Sequence, residues 1–189
     1  FLAWAMCAAK AASRAIEGLE GATVVSTMAR NGVEFGIRVA GLGDRWFTGP
    51  ASAVEGLYFP GFSAADANLD TGDSAIMETY GLGGMAMAAS PSVQKIVGAK
   101  SFADAVATTR RMGEICVGSN PLFPVAALEG EGTPTGIDIR KVVQTRIAPA
   151  INTAIAHRGA PRMIGAGIST PPLEPFVDAL KAFAERYRA

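Results

Sequence analysis

The chain has 189 residues, 17 Lys+Arg against 17 Asp+Glu for a formal net charge of zero, and a single His. This length suits one domain, and the balanced charge argues against a nucleic-acid-binding protein, because a surface that follows phosphates usually leaves a basic excess. Twelve of the 17 cations are Arg, which favours fixed, bidentate recognition of carboxylates or phosphates.

The two cysteines, Cys7 and Cys116, are far apart and belong to no Cys-x-x-Cys pattern. With one histidine the sequence offers no ligand set for a structural metal site, so we expect no metal, no cofactor, and reduced thiols in a cytoplasmic protein. The apolar residues 1–9 are too few to cross a bilayer and lack a basic flank, so neither a membrane anchor nor a signal peptide is predicted. Because the chain opens inside a helical pattern, we expect one domain over residues 1–189 that is a fragment of a longer protein.

The first part of the chain is predicted to be a helix followed by strands. An Ala-rich apolar pattern predicts a buried helix over residues 1–19. Two runs rich in Val, Ile and Phe, 22–29 and 34–40, are joined by Arg30-Asn31-Gly32, and Asn-Gly between such runs is a strong hairpin signal. The remaining predictions before residue 73 are two short edge strands and a loop, at 46–48, 54–59 and 60–72.

A helix that is apolar on nearly every side is predicted over residues 74–89, and such a helix should be central and buried. Gly81, Gly83 and Gly84 interrupt its pattern. An interior helical Gly costs about 1 kcal/mol relative to Ala, so three of them need a reason. Either another backbone packs very close to them, or the helix breaks there to present backbone amides.

The second half of the chain alternates between helical and extended patterns. A capping-box sequence at Ser101–Asp104 predicts an amphipathic helix to about residue 117, and an apolar stripe predicts a closing helix from Leu173 to Tyr187. Residues 165–170 follow a strand-like run and are expected to open that closing helix. The other predicted elements are strands at 123–128 and 149–157 and a helical turn at 137–145. The fold class is therefore α+β, with interleaved helices and short strands around an apolar Gly/Ala-rich central helix.

The densest cluster of functional residue types lies in the hairpin and the loop after it. In an extended strand Glu34, Gly36 and Arg38 face the same side, so a carboxylate and a guanidinium would flank a space for a ligand. A surface Glu–Arg pair of little energetic value explains the same residues. The candidate substrate-binding residues of this cluster are Arg30, Asn31, Arg38, Asp44 and Arg45, and Glu34 is a candidate catalytic residue.

A second candidate site lies in residues 132–140, where hydroxyls and glycines precede a possible helix. Such a segment can form an anion-binding nest to which an arginine adds charge, although a capped turn explains the same residues. The candidate substrate-binding residues of this segment are Thr133, Thr135, Asp138 and Arg140.

Three further residues are singled out by their type. His157 is the only side chain with an unperturbed pKa near neutrality, so it is a candidate catalytic residue, with a structural hydrogen-bonding role as the alternative. Glu78 is unusual on an apolar helix, and Asn152 lies on the opposite face of its strand from His157. We expect both Glu78 and Asn152 to contact substrate.

Four runs of the sequence carry a resemblance to a known bacterial family: RNGVEFGIRVAGLGDRWFTGPA (30–51), VEGLYFPGFSAADANLDTGDSAIMET (54–79), GTPTGIDIRKVV (132–143) and INTAIAHR (151–158). They resemble the YlbE/AllG-type family, long catalogued as a domain of unknown function. The resemblance covers this whole chain and the C-terminal part of the longer family members. One member group is similar to a subunit of the heteromeric oxamate carbamoyltransferase of anaerobic allantoin degradation, so the resemblance implies that role.

The reaction implied by the resemblance is phosphorolysis of oxalurate to oxamate and carbamoyl phosphate. Its substrates are anions and its transition state gathers charge on a tetrahedral carbon, which calls for fixed arginine and amide donors. His157 would move the proton at the leaving amide nitrogen, and Glu34 or Asp44 would orient an arginine. On residue type, we expect the carboxylate and phosphate to be held by Arg30, Arg38, Arg45 and Arg140.

Conventional carbamoyltransferases bind carbamoyl phosphate with a Ser-Thr-Arg-Thr-Arg run, which Thr108-Thr109-Arg110-Arg111 matches only in part. The mechanism of that fold is therefore not carried over. Two classes of function remain: an enzyme subunit acting on small anionic substrates such as phosphate or oxamate, and a non-catalytic structural subunit that completes a partner's active site. Both imply a homo-oligomer or a heteromeric complex with operon-encoded subunits, and neither involves nucleic acid or a membrane.

Overall fold

The computed structural model describes residues 2–90, 95, 97 and 101–188, and it confirms the α+β fold class. The helices are α1 (Leu2–Arg14), α2 (Ile76–Thr79), α3 (Phe102–Gly113), α4 (Ile139–Thr145) and α5 (Glu174–Arg186). The strands are β1 (Val25–Asn31), β2 (Glu34–Val39), β3 (Phe47–Pro50), β4 (Val54–Tyr58), β5 (Thr71–Gly72), β6 (Cys116–Pro124), β7 (Gly132–Ile137), β8 (Ile151–Ala156) and β9 (Met163–Ser169).

The predicted hairpin is confirmed as antiparallel β1 and β2 of a four-stranded sheet with the order β3-β2-β1-β5. Its turn follows from local chemistry. Gly32 has a φ of +83°, and the Asn31 side-chain oxygen accepts hydrogen bonds from the backbone N–H groups of Val33 (2.9 Å) and Glu34 (2.6 Å). β3 lies at the edge of this sheet, as predicted.

Two smaller antiparallel sheets complete the strand topology, one with the order β4-β9-β8 and one that pairs β6 with β7. The predicted strands β4 and β8 are confirmed, and β4 is an edge strand. The prediction for residues 165–170 is wrong, because residues up to Ser169 belong to β9, the central strand of its sheet. This segment is extended because it pairs with a strand on each side. No local sequence pattern indicates that pairing.

The predicted continuous helix over residues 74–89 is wrong in its continuity, although it is central and largely buried. α2 ends at Thr79, and a separate 3-10 segment runs over Gly83–Ala89. Both reasons considered for the glycines hold. The Gly84 N–H donates to the Glu78 side chain, and a Cβ at Gly84 would lie 1.9 Å from the Ala150 carbonyl oxygen.

The first helix is shorter and more exposed than predicted. α1 ends at Arg14, and of its described residues only Ala9 and Ser13 are buried, whereas Trp4 is 80% exposed. An apolar pattern on all sides of a helix predicts complete burial, but α1 packs against the rest of the described chain along one side only. The expectation of a buried first helix is therefore wrong.

The later elements agree with the predictions except at their ends. Ser101 caps α3 by accepting a hydrogen bond from the Asp104 N–H at 3.1 Å, and α3 ends at Gly113 because β6 starts soon afterwards. Helices α4 and α5 are confirmed. The predicted strand over 123–128 is wrong in its bounds, because β6 ends at Pro124 and Ala126–Leu128 forms a 3-10 turn.

The largest apolar core lies between the four-stranded sheet and helices α4 and α5. Phe35 of β2 stacks on Phe176 of α5 with ring centres 6.0 Å apart, and both side chains are fully buried. One face of the four-stranded sheet packs against this core. Polar residues of β1, and of β8 in the neighbouring sheet, lie in the candidate site. No helix in the described part of the chain has the length and apolar character needed to cross a membrane.

Candidate functional site

The candidate site is centred on Glu78, a fully buried carboxyl group on α2. Its Oε1 accepts two backbone hydrogen bonds, from the Gly84 N–H and the Asn152 N–H, each at 3.0 Å. Its Oε2 is buried and has no hydrogen-bond partner among the described residues. Glu78 therefore links the glycine-rich break after α2 to the start of β8 by hydrogen bonds. Its second carboxyl oxygen has no hydrogen-bond partner among the described residues.

Burial raises the pKa of Glu78 to about 8, although the N–H groups of Gly84 and Asn152 and the charge of Arg30 act to lower it. The free energy needed to remove a carboxylate from water exceeds the stabilisation that the two backbone hydrogen bonds provide. Glu78 is consequently a neutral carboxylic acid near pH 7, able to donate a proton as well as accept one. A strongly perturbed acid is typical of functional sites.

Asn152 supplies a second unused polar atom beside Glu78. Its side-chain nitrogen donates to the sulfur of Met87 at 3.1 Å, whereas its Oδ1 is buried and lacks a partner in the described part of the chain. Thr133, on the other side of the same break, has a buried hydroxyl oxygen that also lacks a described partner, and a Cβ at Gly81 would lie 2.6 Å from it. Three predicted substrate-binding residues thus border the break after α2.

Arg30 forms a separate, satisfied network close to Glu78. Its guanidinium donates to Asp70 (2.9 Å), to the Gly72 carbonyl (3.0 Å), to Ser74 (3.2 Å) and to Thr153 (2.7 Å). Both charged side chains of the Arg30–Asp70 pair are almost completely buried. The sequence analysis missed Asp70, Ser74 and Thr153, and no spacing or motif distinguishes them, since they converge only when β1, β5 and β8 are assembled.

The face of β2 that carries Glu34 is partly covered by Trp46. A Cβ at Gly36 would lie 3.0 Å from the indole of Trp46, and Glu34, Gly36 and Trp46 line a small cavity of about 230 Å³. Arg38 contacts Glu17 and Asp44 and does not pair with Glu34. The expected pairing of Glu34 with Arg38 is therefore wrong, whereas ligand binding at this face stays a prediction.

The other residues of that cluster occupy positions with structural explanations. Asn31 is engaged in the hairpin turn, the side chain of Asp44 is exposed, and the Arg45 guanidinium lies 4.8 Å from the Phe47 ring centre. The roles of Glu34, Asn31 and Arg38 in catalysis or substrate binding stay predictions.

The predicted anion-binding nest in residues 132–140 is wrong in its local structure, because Gly132–Ile137 is strand β7. The Thr135 hydroxyl donates to the Thr79 carbonyl at 3.2 Å. Asp138 caps α4 and accepts from Arg140 at 2.7 Å. Burial acts to raise the pKa of Asp138, but hydrogen bonds from Arg140 and Thr23 outweigh it and hold that pKa below its usual value.

His157 lies at the opposite end of β8 from Asn152. Its Nδ1 accepts a hydrogen bond from the Gly159 N–H at 2.9 Å, and its ring packs edge-on against Phe62. His157 follows Asn152 by five positions along extended chain, a distance of about 16 Å. The structure therefore does not bring His157 to Glu78, and its role in proton transfer stays a prediction.

Among the described residues, no group of three or more His, Cys, Asp or Glu side chains is arranged to hold a metal ion. Cys7 is exposed, Cys116 is buried, and both are free thiols.

Comparison with known proteins confirms the resemblance stated from the sequence. A family model described as oxamate carbamoyltransferase subunit AllG matches residues 1–74. The uncharacterized protein YahG of Escherichia coli is 51% identical over 97% of this chain and 38% of its own length. The oxamate carbamoyltransferase subunit AllG of Escherichia coli is 47% identical over 98% of this chain and 44% of its own length.

A crystal structure of a conserved protein of unknown function from Enterococcus faecalis V583 has a TM-score of 0.92 and 50% sequence identity to this chain. The match covers 96% of this chain and 43% of that one. The present chain therefore spans less than half the length of the relatives it matches.

Proposed function

We propose that this chain belongs to the AllG family and forms part of a subunit of a carbamoyl-transferring enzyme. The observation that carries the proposal is the 47% identity over 98% of the chain to a protein named as an oxamate carbamoyltransferase subunit. The proposed reaction is the conversion of oxalurate and phosphate to oxamate and carbamoyl phosphate. It takes place in a heteromeric complex with operon-encoded subunits or in a homo-oligomer, in the cytoplasm.

The chemistry of this reaction defines what the candidate site has to supply. A phosphate oxygen bonds to the terminal carbamoyl carbon of oxalurate, the bond from that carbon to the internal amide nitrogen breaks, and the nitrogen leaves as the amide of oxamate after gaining a proton. A neutral acid that holds a proton near pH 7 suits such a step. The pKa of Glu78, raised to about 8, favours the protonated acid, so we assign Glu78 of α2 a positioning role beside the start of β8.

The first test measures carbamoyl phosphate formed from oxalurate and phosphate by the full-length protein mixed with its operon-encoded neighbours. Activity that disappears when this protein is omitted is the expected result. A complete mixture without activity would remove the reaction, and a mixture whose activity is unchanged by the omission would remove the subunit role.

A second proposal, favoured by α1, is that this chain is a non-catalytic structural subunit. Leu2 is 56% and Trp4 is 80% exposed, and exposed large apolar side chains on one helix are typical of protein interfaces. Variants separate the two proposals. In the reconstituted mixture, Glu78→Gln should lower kcat with little change in assembly if the site is catalytic, whereas Trp4→Ala should weaken assembly with normal kcat in the assembled fraction if the role is structural.

A further inference from the structure

A cavity lies next to the candidate site and contains none of the residues singled out as site residues. It is a cleft of about 600 Å³ between the end of α3, the segment after α4 and the connection from β9 to α5. The residues of the cleft that matter here are Thr108, Arg111, Arg146, Ala150, Thr170 and Glu174.

The cleft contains two arginines from different elements whose charges are not neutralised by ion pairs. Within the described part of the chain, neither Arg111 nor Arg146 forms an ion pair, a side-chain hydrogen bond or a contact with an aromatic ring. By contrast, Arg30 and Arg140 each bind a carboxylate at 2.9 Å or less. Glu174 contributes one negative charge to the lining, so the two guanidiniums leave the cleft with a positive excess.

Arg146 also adopts a backbone conformation that arginine seldom takes. It ends α4 with a φ of 58° and a ψ of 24°, in the left-handed region. Glycine or asparagine adopts this conformation at lower cost, by about 1 kcal/mol or more. The backbone conformation at position 146 therefore does not favour arginine, and we infer that the presence of arginine there reflects a role of its side chain.

The remaining polar groups of the cleft also favour an anion. The 13-residue helix α5 begins at Glu174 in the lining, and its first turn has no side-chain cap. Pro175 has no N–H and the Phe176 N–H donates to the Leu173 carbonyl at 3.1 Å, so the helix contributes chiefly the positive end of its dipole to this region. The Thr170 side chain is exposed in the same lining and adds a hydroxyl donor.

The cleft is directly connected to the candidate site through two backbone relationships. Ala150 lines the cleft, and its carbonyl oxygen packs against Gly84 of the glycine-rich break. Ile168 also lines the cleft and is paired across the β8–β9 ladder with Asn152, so the two side chains lie on the same face of the sheet. Ile168 therefore lies between the cleft and Asn152, which does not itself line the cleft.

We propose that this cleft binds the phosphate group of a small substrate, with Arg111 and Arg146 as its charged ligands. Two guanidiniums can hold a tetrahedral oxyanion by several charge-assisted hydrogen bonds, and an open cleft of this volume admits inorganic phosphate or a small phosphate ester or anhydride. The choice of phosphate over other oxyanions rests on the proposed function. The location of the site rests on the geometry alone.

The test is binding of inorganic phosphate to the full-length protein by titration calorimetry, without turnover. Arg111→Ala and Arg146→Asn should each weaken phosphate binding by about tenfold or more, as expected for loss of one charge-assisted contact. Asn is chosen at position 146 because it tolerates the left-handed conformation. Arg110→Ala is the matched control, because Arg110 is the neighbouring residue of α3 and lines a different cavity, with Lys141.

Carbamoyl phosphate and oxamate serve as comparison ligands in the same titrations. Carbamoyl phosphate should lose affinity in the two cleft variants as phosphate does, whereas oxamate should bind them as it binds the unaltered protein. Three results would overturn the inference: no phosphate binding by the unaltered protein at millimolar concentration, unchanged affinity in both cleft variants, or an equal loss in Arg110→Ala. Phosphate binding that requires both arginines, together with a reconstituted mixture that lacks activity, would support the cleft and remove only the reaction.

Discussion

The carboxyl group of Glu78 occupies the space that a side chain at position 83 would need. A Cβ added to Gly83 would lie 2.0 Å from Oε1 of Glu78, and the φ of Gly83 is +59°. Glycine is therefore required at position 83 by the backbone conformation and, independently, by the buried acid. This relationship connects the break in the predicted central helix with the most strongly perturbed carboxyl group described in the chain.

Replacement of Gly83 by Ala should destabilise the protein by about 3 kcal/mol, from the left-handed backbone and from overpacking against Glu78. Gly21→Ala is the control, because Gly21 has a φ of +72° but nothing within 4 Å of an added Cβ. The Gly21→Ala substitution should lower the free energy of unfolding by about 1–2 kcal/mol. Urea unfolding of both variants measures the difference, and equal losses would show that the Glu78 contact contributes nothing.

Glu78 should make the free energy of unfolding fall as pH rises from about 4.5 to about 8. Its pKa is raised from 4.5 to about 8 in the folded state, so in that range the folded protein binds a proton that the unfolded chain has released. Stability from this group is complete below pH 4.5, and the fall has a limiting slope of about 1.4 kcal/mol per pH unit. Glu78→Gln should lack this fall. Urea unfolding at pH 5, 6, 7 and 8 tests it, and parallel profiles for the two proteins would contradict it.

The buried Arg30–Asp70 pair should be essential for folding. Arg30→Met leaves the carboxylate of Asp70 buried without its partner, and the expected loss is about 3–5 kcal/mol. Arg45→Met, at an exposed arginine whose guanidinium lies over the Phe47 ring, should change stability by about 0.5 kcal/mol or less. The double variant Arg30→Met/Asp70→Leu should lose less than the sum of the single variants. Additive losses in thermal or urea unfolding would argue against a coupled pair.

Asp138 should contribute stability that is lost in acid. Its folded pKa lies below its usual value of 3.8, so the contribution is present above pH 3.8 and disappears as pH falls through the folded pKa. Asp138→Ala should cost about 1–2 kcal/mol at pH 7, because α4 loses its N-cap. Ser101→Ala, which removes an exposed N-cap from α3, is the matched control and should show a smaller dependence on pH below 4. An Asp138→Ala loss that persists unchanged at pH 2.5 would contradict the prediction.

Local chemistry explains the elements that could be predicted. The Asn31-Gly32 turn closes through hydrogen bonds within three residues, and the Ser101 cap forms with an N–H three residues later. The stripe of α5 repeats at the helical period. Each of these signals lies within one short segment, so it can be read without knowledge of the rest of the chain.

The candidate site could be predicted only in part. Glu78 is unusual on an apolar helix and Asn152 is polar on a strand, and the structure places them in contact. Their separation in sequence is large, so neither their contact nor the elevated pKa of Glu78 has a local signal. The same holds for Arg111 and Arg146, which share a cleft because α3 and the end of α4 meet in the fold.

By itself the sequence determined the α+β class, the hairpin, the Ser101 cap and the resemblance to the AllG family, since these depend on neighbouring residues and on direct identity. The tertiary structure alone decided that the apolar segment after residue 74 breaks, that Glu78 is buried with a raised pKa, and that Trp46 packs over Gly36. The physical reason is that burial, desolvation and close packing depend on atoms brought together from distant parts of the chain.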